Sequence, residues 1–335
     1  MEENRYKCYL CGNEITSLNK TDEHIILNAI GGRLRSSTII CNDCNNKMGE
    51  TSGSILAEDL SFFSDMLQIK RERSSSHNQI MIDEEGDEVI VDDAGLKFNL
   101  RKPSIKIKEI DGEKKMRIVA KNEQQIKGML NRAVKEGNIN QDQADSAFSK
   151  AKKENYRPIL KKEIFISNGA FPSIIKSAVN FYVDRTHDME TIEHLVPVIK
   201  GEKSTEGVIY LYIFKMLPYS TCDKQVTHMI HIEGSKSTRF LYALMEYFSV
   251  YTYIVILHDD YEGENINMTY TYDVISNKEV NRKFSCPLKK GDIDTLNQFH
   301  MISIAKSISL NIENELTRLW KFGKNDVVLM NFKNF

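Results

Sequence analysis

The sequence predicts an α+β protein in which a small N-terminal module precedes a larger α+β domain with an antiparallel sheet. Three observations predict this class. Two close cysteine pairs lie within the first 44 residues, hairpin and helix patterns follow to about residue 157, and strand-like runs separated by polar turns come after that. With 335 residues and 41% hydrophobic content, the chain can bury cores for more than one domain.

The composition restricts the classes of function. Charged residues make up 27% of the chain and the net charge is −2, so any charge that attracts nucleic acid must be local. The first residues do not have the pattern of a signal peptide. Residues 240–257 are apolar enough to suggest a membrane span, but they include Glu246 and four tyrosines, which favours two buried strands. We therefore expect a soluble, cytoplasmic protein.

The first element is a predicted zinc site. Two CxxC pairs provide four thiols, which we call the cysteine cluster: Cys8, Cys11, Cys41 and Cys44. Two residues between thiolates let both sulfurs face one ion at about 2.3 Å. Two accidental pairs or a redox dithiol are the alternatives, but both pairs lie within 37 residues and use four of the six cysteines, which favours zinc. Because four thiolates fill a tetrahedral sphere, this zinc is predicted to be structural.

The segment around the cysteine cluster carries three further motifs in a fixed order. Glu23-His24 and Gly31-Gly32 lie between the two pairs, and Asn45 follows the second pair directly. In this order they resemble the HNH endonucleases of the ββα-metal fold, in particular the subgroup whose N-terminal part is clamped by four cysteines. The resemblance covers about residues 6–50. It implies a zinc-stapled ββα-metal (HNH) module, predicted at residues 1–52 and called the N-terminal module below.

Hydrolysis of a phosphodiester needs a base for water and positive charge near the phosphate. His24 is the predicted general base, because the ordinary pKa of histidine, about 6.5, suits that role near neutral pH. Glu23 and Asn45 offer hard oxygen ligands, which suit Mg²⁺ or Mn²⁺. Gly31-Gly32 is predicted to form the tight turn that brings strand and helix together.

The remaining predicted site residues have open alternatives. Asn46 either positions Asn45 or phosphate, or acts as a helix cap. Lys47 contacts a phosphate or is simply solvated, and Arg33 and Arg35 are the other predicted nucleic-acid contacts. Glu193-His194 repeats the acidic–His pair without flanking cysteine pairs, so we interpret it as unrelated to catalysis.

Residues 53–157 are predicted to form a connector of helices and hairpins. The predicted elements are a helix over 51–73, hairpins joining 80–82 to 89–91 and 105–107 to 116–119, and helices over 122–136 and 140–155. Two basic clusters could follow phosphates or form a solvated face: Arg101, Lys102, Lys106, Lys108, Lys114, Lys115 and Arg117, then Lys150, Lys152, Lys153, Arg157, Lys161 and Lys162.

Residues 158–335 are predicted to form an α+β domain for target recognition or regulation. The predicted elements are a strand at 164–166, a helix over 172–184, strands at 207–216, 225–233, 238–247, 250–258 and 266–275, and a helix over 298–320. Tyrosines at alternating strand positions could bind a base or a ligand, but more often such residues fill a half-buried face.

The leading hypothesis is a metal-dependent endonuclease that cleaves double-stranded DNA, with Zn²⁺ as structural cofactor and Mg²⁺ or Mn²⁺ as catalytic cofactor. A role in restriction or anti-phage defence is the expected setting, with a homodimer left open. The alternative is a non-catalytic zinc module that binds nucleic acid or protein, joined to a C-terminal sensor domain. A third hypothesis is a nuclease that stays silent until its C-terminal domain binds an activating ligand or phage component. No membrane partner is expected.

Overall fold

The structure, a computed structural model, describes residues 5–69, 79–91, 98–110, 113–150, 160–161, 165–212 and 225–293. The chain divides into two compact units. The first unit comprises Met1–Ser75, Ile164–Lys324 and Phe332–Phe335, and the second comprises Ser76–Glu163 and Asn325–Asn331. The N-terminal module and the C-terminal sheet therefore share one unit, while the division into three domains stays a prediction.

The first unit begins with the N-terminal module. Its elements are strands β1 (Glu23–His24) and β2 (Arg35–Ser36) and helices α1 (Asn42–Met48), α2 (Ser54–Asp59) and α3 (Ser61–Met66). Strands β1 and β2 pair antiparallel, with Glu23 opposite Ser36 and His24 opposite Arg35. The single helix predicted over 51–73 is instead broken. Thr51 leaves helical geometry, and Leu60 separates α2 from α3 with a ψ near 2°.

The second unit is built from hairpins and two helices. Its elements are β3 (Gln79–Asp83), β4 (Glu88–Val91), β5 (Phe98–Leu100), β6 (Ser104–Ile110), β7 (Glu113–Val119), α4 (Glu123–Lys135), α5 (Gln141–Ser149) and β8 (Leu160–Lys161). One sheet has the order β5-β4-β3-β8, and β6 and β7 form a separate hairpin. Both predicted hairpins are confirmed. The helix predicted over 122–136 is confirmed as α4, and α5 confirms the first part of the helix predicted over 140–155, whose residues 151–155 lie outside the described residues. Each helix is capped by an asparagine side chain, Asn122 or Asn140, that accepts from the helix backbone.

The rest of the first unit is an antiparallel sheet with helices. The elements are α6 (Phe171–Thr186), α7 (Val196–Ile199), β9 (Ile209–Leu211), β10 (Thr227–Ser235), β11 (Phe240–Tyr247), β12 (Tyr251–His258), β13 (Ile266–Asp273) and β14 (Lys278–Glu279). The sheet order is β14-β13-β10-β11-β12-β9, with antiparallel pairs throughout. We call the described residues 165–293 the C-terminal segment. The predicted α+β class is confirmed.

Both faces of the central strands are covered, which explains the apolar run at 240–257. Helix α6 packs on strands β10, β11 and β12. Phe240, Tyr242 and Leu244 belong to a cluster that also contains Phe284 and Ile293. The run is therefore two antiparallel strands, as predicted. No helix within the described ranges combines the length and the apolar character that a membrane span requires.

The tyrosines of the sheet are packed rather than exposed. The buried ones are Tyr212, Tyr242, Tyr247, Tyr251, Tyr253, Tyr270 and Tyr272. Two predictions for the C-terminal region need comment. Phe165 and Ile166 belong to no strand, because they lead into the turn that begins α6, so the strand predicted at 164–166 is wrong there. The helix predicted over 298–320 lies outside the described residues.

Candidate metal centre and active site

The cysteine cluster has the geometry of a zinc site. Its four sulfur atoms all lie within 4.8 Å of one another. Tetrahedral zinc with Zn–S bonds of about 2.3 Å requires sulfurs about 3.8 Å apart, and the Cys11 and Cys41 sulfurs are separated by 3.8 Å. Cys8 and Cys11 lie on a turn closed by a bond from the Gly12 amide to the Cys8 carbonyl (2.7 Å). Cys41 is the N-cap of α1, and Cys44 lies in its first turn.

Burial disfavours the thiolate forms of Cys8 and Cys44, so a bound cation would have to supply the compensating charge. Burial raises the pKa of the Cys8 thiol, although nearby backbone amides partly offset this. Burial, together with the charge of Cys8, raises the pKa of Cys44. Thiols with raised pKa values bind metal only if the cation stabilises their thiolates. Four soft ligands at tetrahedral spacing fit zinc, which would hold α1 against the N-terminal turn.

The cysteine cluster also orders the strand that carries the predicted base. The backbones of Lys20 and Cys41 form an antiparallel bridge, and the Asn42 amide donates to the Asn19 carbonyl at 2.7 Å. The Asn45 Nδ2 donates to the Thr21 hydroxyl at 3.3 Å. Asn45 in α1 is therefore tied to the segment that leads directly into β1.

The predicted site residues differ in exposure. His24 and Asn45 are half-buried, although the Nε2 atom of the His24 ring is itself buried. Asn46 and Lys47 are exposed in α1, and neither caps it, because Cys41 holds the N-cap position. Arg33 is half-buried and Arg35 is exposed. Their contact with nucleic acid stays a prediction.

Glu23 lies in a different environment from the rest of this set. Its side chain is only 4% exposed. Its Oε1 accepts a hydrogen bond from the Lys176 ammonium, with which it forms an ion pair, and another from Asn180 Nδ2 at 3.0 Å. The Tyr9 hydroxyl donates to Asn180 Oδ1 at 2.7 Å. We call Glu23, Lys176, Asn180 and Tyr9 the Glu23 network.

This arrangement does not fit magnesium at Glu23. A divalent ion binds a carboxylate that can offer its negative charge, but Lys176 already neutralises that charge at Oε1. The pKa of the Tyr9 hydroxyl is raised, first by burial and then by the charge of Glu23, so Tyr9 stays protonated and remains a donor. The network therefore places two donors, the Lys176 ammonium and the Asn180 amide, on one oxygen of the Glu23 carboxylate.

Lys176 and Asn180 contact the predicted site residue Glu23, and the sequence alone did not predict either contact. They are one helical turn apart in α6, where every residue from Ser173 to Val183 is buried. A lysine and an asparagine within such an apolar helix require polar partners. The sequence shows these two polar residues within an apolar helix, but it does not show that their partner is Glu23, more than 150 residues away.

The predicted Gly31-Gly32 turn is confirmed, and a buried histidine supports it. Gly31 has a φ of 96°, and a Cβ on Gly32 would lie 1.9 Å from the Ile26 carbonyl oxygen. His228 in β10 has its Nε2 2.8 Å from the Ile30 carbonyl, and its Nδ1 accepts from the Phe248 amide at 3.3 Å. This fixes a neutral ring with its proton on Nε2. Burial accordingly lowers the pKa of His228 to about 4.

Glu193-His194 lies apart from any candidate metal site. It forms a short 3-10 helix, Glu193–Leu195, and the His194 ring packs edge-on against His258. Within the part of the chain that the structure describes, the cysteine cluster is the one group of His, Cys, Asp or Glu residues close enough to hold a metal. This agrees with its interpretation as unrelated to catalysis.

Several basic residues of the second unit are paired with carboxylates. Arg101 contacts Glu88 at 3.0 Å, and Lys106 contacts Asp87 at 2.8 Å. Arg117 lies 3.7 Å from buried Asp83, whose Oδ1 also accepts from two amides of its own turn. These contacts support a structural role for the three cations. DNA contact by the basic clusters stays a prediction.

Comparison with known proteins supports the N-terminal assignment. Residues 8–60 match the family model described as HNH endonuclease. The match contains the cysteine cluster, strands β1 and β2, and helices α1 and α2. No curated protein and no solved structure matches the chain. The predicted resemblance is thereby confirmed for this segment, which carries a nuclease-type module with a metal-binding cluster.

Proposed function

We propose that the protein is a metal-dependent endonuclease that hydrolyses phosphodiester bonds of double-stranded DNA, with His24 as general base. The observation that carries this proposal is the order of β1, β2 and α1, together with the four cysteines, within the segment that matches HNH endonucleases. Four thiols with zinc geometry join helix α1, which bears Asn45, to the N-terminal turn. Backbone pairing of Cys41 with Lys20 and the bond from Asn45 to Thr21 tie α1 to the segment that leads into His24. Such a clamp fixes catalytic groups on short elements that could not hold their geometry alone.

In this mechanism, His24 on β1 removes a proton from the attacking water. The neutral amide of Asn45 offers an oxygen to a divalent cation or to the phosphate. Mg²⁺ or Mn²⁺, when bound, supplies positive charge for the phosphate and the leaving oxygen. Glu23 serves as a second ligand only when its pairing with Lys176 is broken.

A plasmid cleavage assay tests this function. Purified protein is incubated with plasmid, modified and unmodified phage DNA, and single strands, with Mg²⁺ or Mn²⁺. His24→Ala should reduce cleavage by a factor of at least about 100, because a general base contributes that much. The matched control is His194→Ala, which alters the second acidic–His pair and should cleave like the wild type. Equal cleavage by wild type and His24→Ala, with unchanged zinc content, would falsify the assignment.

The Lys176–Glu23 pair favours a second candidate, a non-catalytic zinc module that binds nucleic acid or a protein partner. A module without catalysis needs no divalent metal at Glu23, so it can keep Glu23 paired with the Lys176 ammonium. A gel-shift titration separates the two: DNA binding that needs zinc but yields no cut with any divalent ion supports the second candidate.

Cleavage that appears only after a phage lysate or nucleotide extract is added supports a third candidate. This is a nuclease that stays silent until its C-terminal segment binds an activating component, as in phage defence.

A further inference from the structure

The hairpin that bears His24, which we call the His24 hairpin (residues 23–36), is too short to hold its own position. Its strands β1 and β2 have two residues each and pair with one another, and the Ile25 amide donates to the Leu34 carbonyl at 2.9 Å. A hairpin of this size is not stable in water by itself. Other parts of the chain must therefore set the direction in which β1 presents its side chains.

The C-terminal segment holds the His24 hairpin at two points. The Glu23 carboxylate accepts from Lys176 and Asn180 in α6, and the paired lysine and glutamate side chains are almost fully buried, at 6% and 4% exposure. At the turn, the His228 ring of β10 contacts the Ile30 carbonyl at 2.8 Å. Helix α1 instead carries two members of the cysteine cluster. The strand of the predicted site thus depends on the C-terminal segment, whereas the cysteine cluster supports its helix.

We propose that Lys176 is a positioning residue of the nuclease site, because it anchors β1 through the Glu23 carboxylate and so fixes the side on which His24 presents its ring. Successive side chains of a strand lie on opposite faces. Glu23 is buried against α6, so a strand held at Glu23 has His24 on the face away from α6. The ion pair persists during the reaction, and Glu23 serves as the anchor rather than as a metal ligand. This inference rests on the proposed function in one respect, that His24 is the base.

The Glu23 network is suited to selecting one register of β1. A shift by one residue would turn the His24 ring into the buried site and move the Glu23 carboxylate to the opposite face, away from both of its donors. A buried charge without its partner is strongly destabilising, so the shifted register is disfavoured. Asn180 adds direction, because its amide donates to Glu23 at 3.0 Å while its own oxygen accepts from the Tyr9 hydroxyl at 2.7 Å.

Hydrogen exchange measured by mass spectrometry tests the anchor without requiring cleavage. Lys176→Met removes the charge and keeps an unbranched side chain. We expect amides of the His24 hairpin to exchange at least about ten times faster than in wild type, while amides of α1 stay within about twofold of wild type, because only the hairpin loses its anchor. Lys203→Met, at an exposed position of the same C-terminal segment, is the matched control and should exchange like wild type throughout.

Hairpin exchange that is unchanged in Lys176→Met, or that rises equally in α1, would overturn the proposal. If this variant does not fold, Glu23→Gln/Lys176→Met is compared with wild type by the same criteria, since it removes the ion pair and leaves neither charge unpaired.

Steady-state cleavage separates positioning from metal binding by Glu23. Positioning predicts that the kcat of Lys176→Met falls by at least about tenfold while KM stays within about threefold, because a shift of about 1 Å in a catalytic group can cost about 100-fold in rate. A carboxylate needed by a metal would instead be released by this substitution, so an equal or higher kcat would overturn the proposal. Faster hairpin exchange in a protein whose wild type cuts no DNA would support the anchor and contradict the proposed function.

Discussion

The cysteine cluster and the Glu23 network differ in how far apart along the sequence their interacting residues lie. All four ligands of the cysteine cluster lie within 37 residues and belong to the N-terminal module. Glu23 belongs to the same N-terminal module, yet two of its partners lie in α6, more than 150 residues later. The metal clamp is therefore local, whereas the predicted active centre is completed by the C-terminal segment.

The largest expected effect comes from breaking the cysteine cluster. Cys41→Ser removes one of the four zinc ligands, while position 41 stays the N-cap of α1, where serine is a favourable residue. Structural zinc in small modules contributes on the order of 10 kcal/mol, so we expect the zinc to be lost and the N-terminal module to unfold. Zinc analysis and limited proteolysis measure both effects. Cys286→Ser is the control, since Cys286 lies outside the cluster, and it should keep its zinc.

The Gly31-Gly32 turn gives the next largest effect. Gly32→Ala places a methyl group 1.9 Å from a backbone oxygen, which the chain can relieve only by moving. We expect a loss of about 3 kcal/mol in the free energy of unfolding, measured in urea. Gly49→Ala is the matched control, because Gly49 has helical geometry and open space around its Cα. It should be neutral or slightly stabilising, and equal losses in both variants would contradict the packing argument.

The contact between His228 of the sheet and the Ile30 carbonyl of the N-terminal module makes the free energy of unfolding depend on pH. Its pKa is lowered to about 4 in the folded protein, against about 6.5 unfolded, so the unfolded state binds the proton more readily. Its contribution to stability is complete above pH 6.5 and is lost as the pH falls toward 4. Between pH 7 and pH 5 we expect a loss of about 2 kcal/mol from this residue.

Urea unfolding of wild type and His228→Leu at the two pH values measures that contribution. The variant should be less stable at pH 7, because the Ile30 carbonyl loses its donor, but it should lose about 2 kcal/mol less than wild type on going to pH 5. An identical pH dependence in both proteins would contradict the buried neutral ring.

The smallest effect concerns the edge of the Glu23 network. Tyr9→Phe removes the hydroxyl that donates to Asn180 Oδ1 and leaves that oxygen buried, so we expect a loss of about 1 kcal/mol. Tyr6→Phe is the control, since the half-buried Tyr6 ring packs beside His187, and its change should stay within about 0.5 kcal/mol. Urea unfolding measures both variants, and indistinguishable losses would exclude a role for the Tyr9 hydroxyl.

The same contrast explains what the sequence could predict. The cysteine cluster, the order of β1, β2 and α1, and the strands of the sheet follow from spacing and periodicity, which are local properties. Helix α6 was predictable as well, from Pro172 in its first turn and its apolar content. The pairing of Lys176 with Glu23 depends on how α6 packs against the module, and spacing along the chain carries no information on that.

One local prediction needed revision, and another stays a prediction whose outcome depends on the same kind of contact. The apolar spacing over 51–73 indicated one helix, but packing bends the chain at Leu60, so the residues keep their buried face in two short helices. Several basic residues of the second unit suggested a surface for phosphates, whereas Arg101, Lys106 and Arg117 contact acidic partners. Burial and pairing of charges depend on tertiary contacts that composition does not specify.

A double-mutant cycle between Glu23 and Lys176 tests most directly the claim that the C-terminal segment completes the centre. The free energy of unfolding in urea is measured for wild type, Glu23→Gln, Lys176→Met and the double variant. Each single variant leaves one buried charge unpaired, so the account predicts a coupling energy of about 2 kcal/mol or more, with the double variant more stable than either single variant. Additivity within about 0.3 kcal/mol would contradict it.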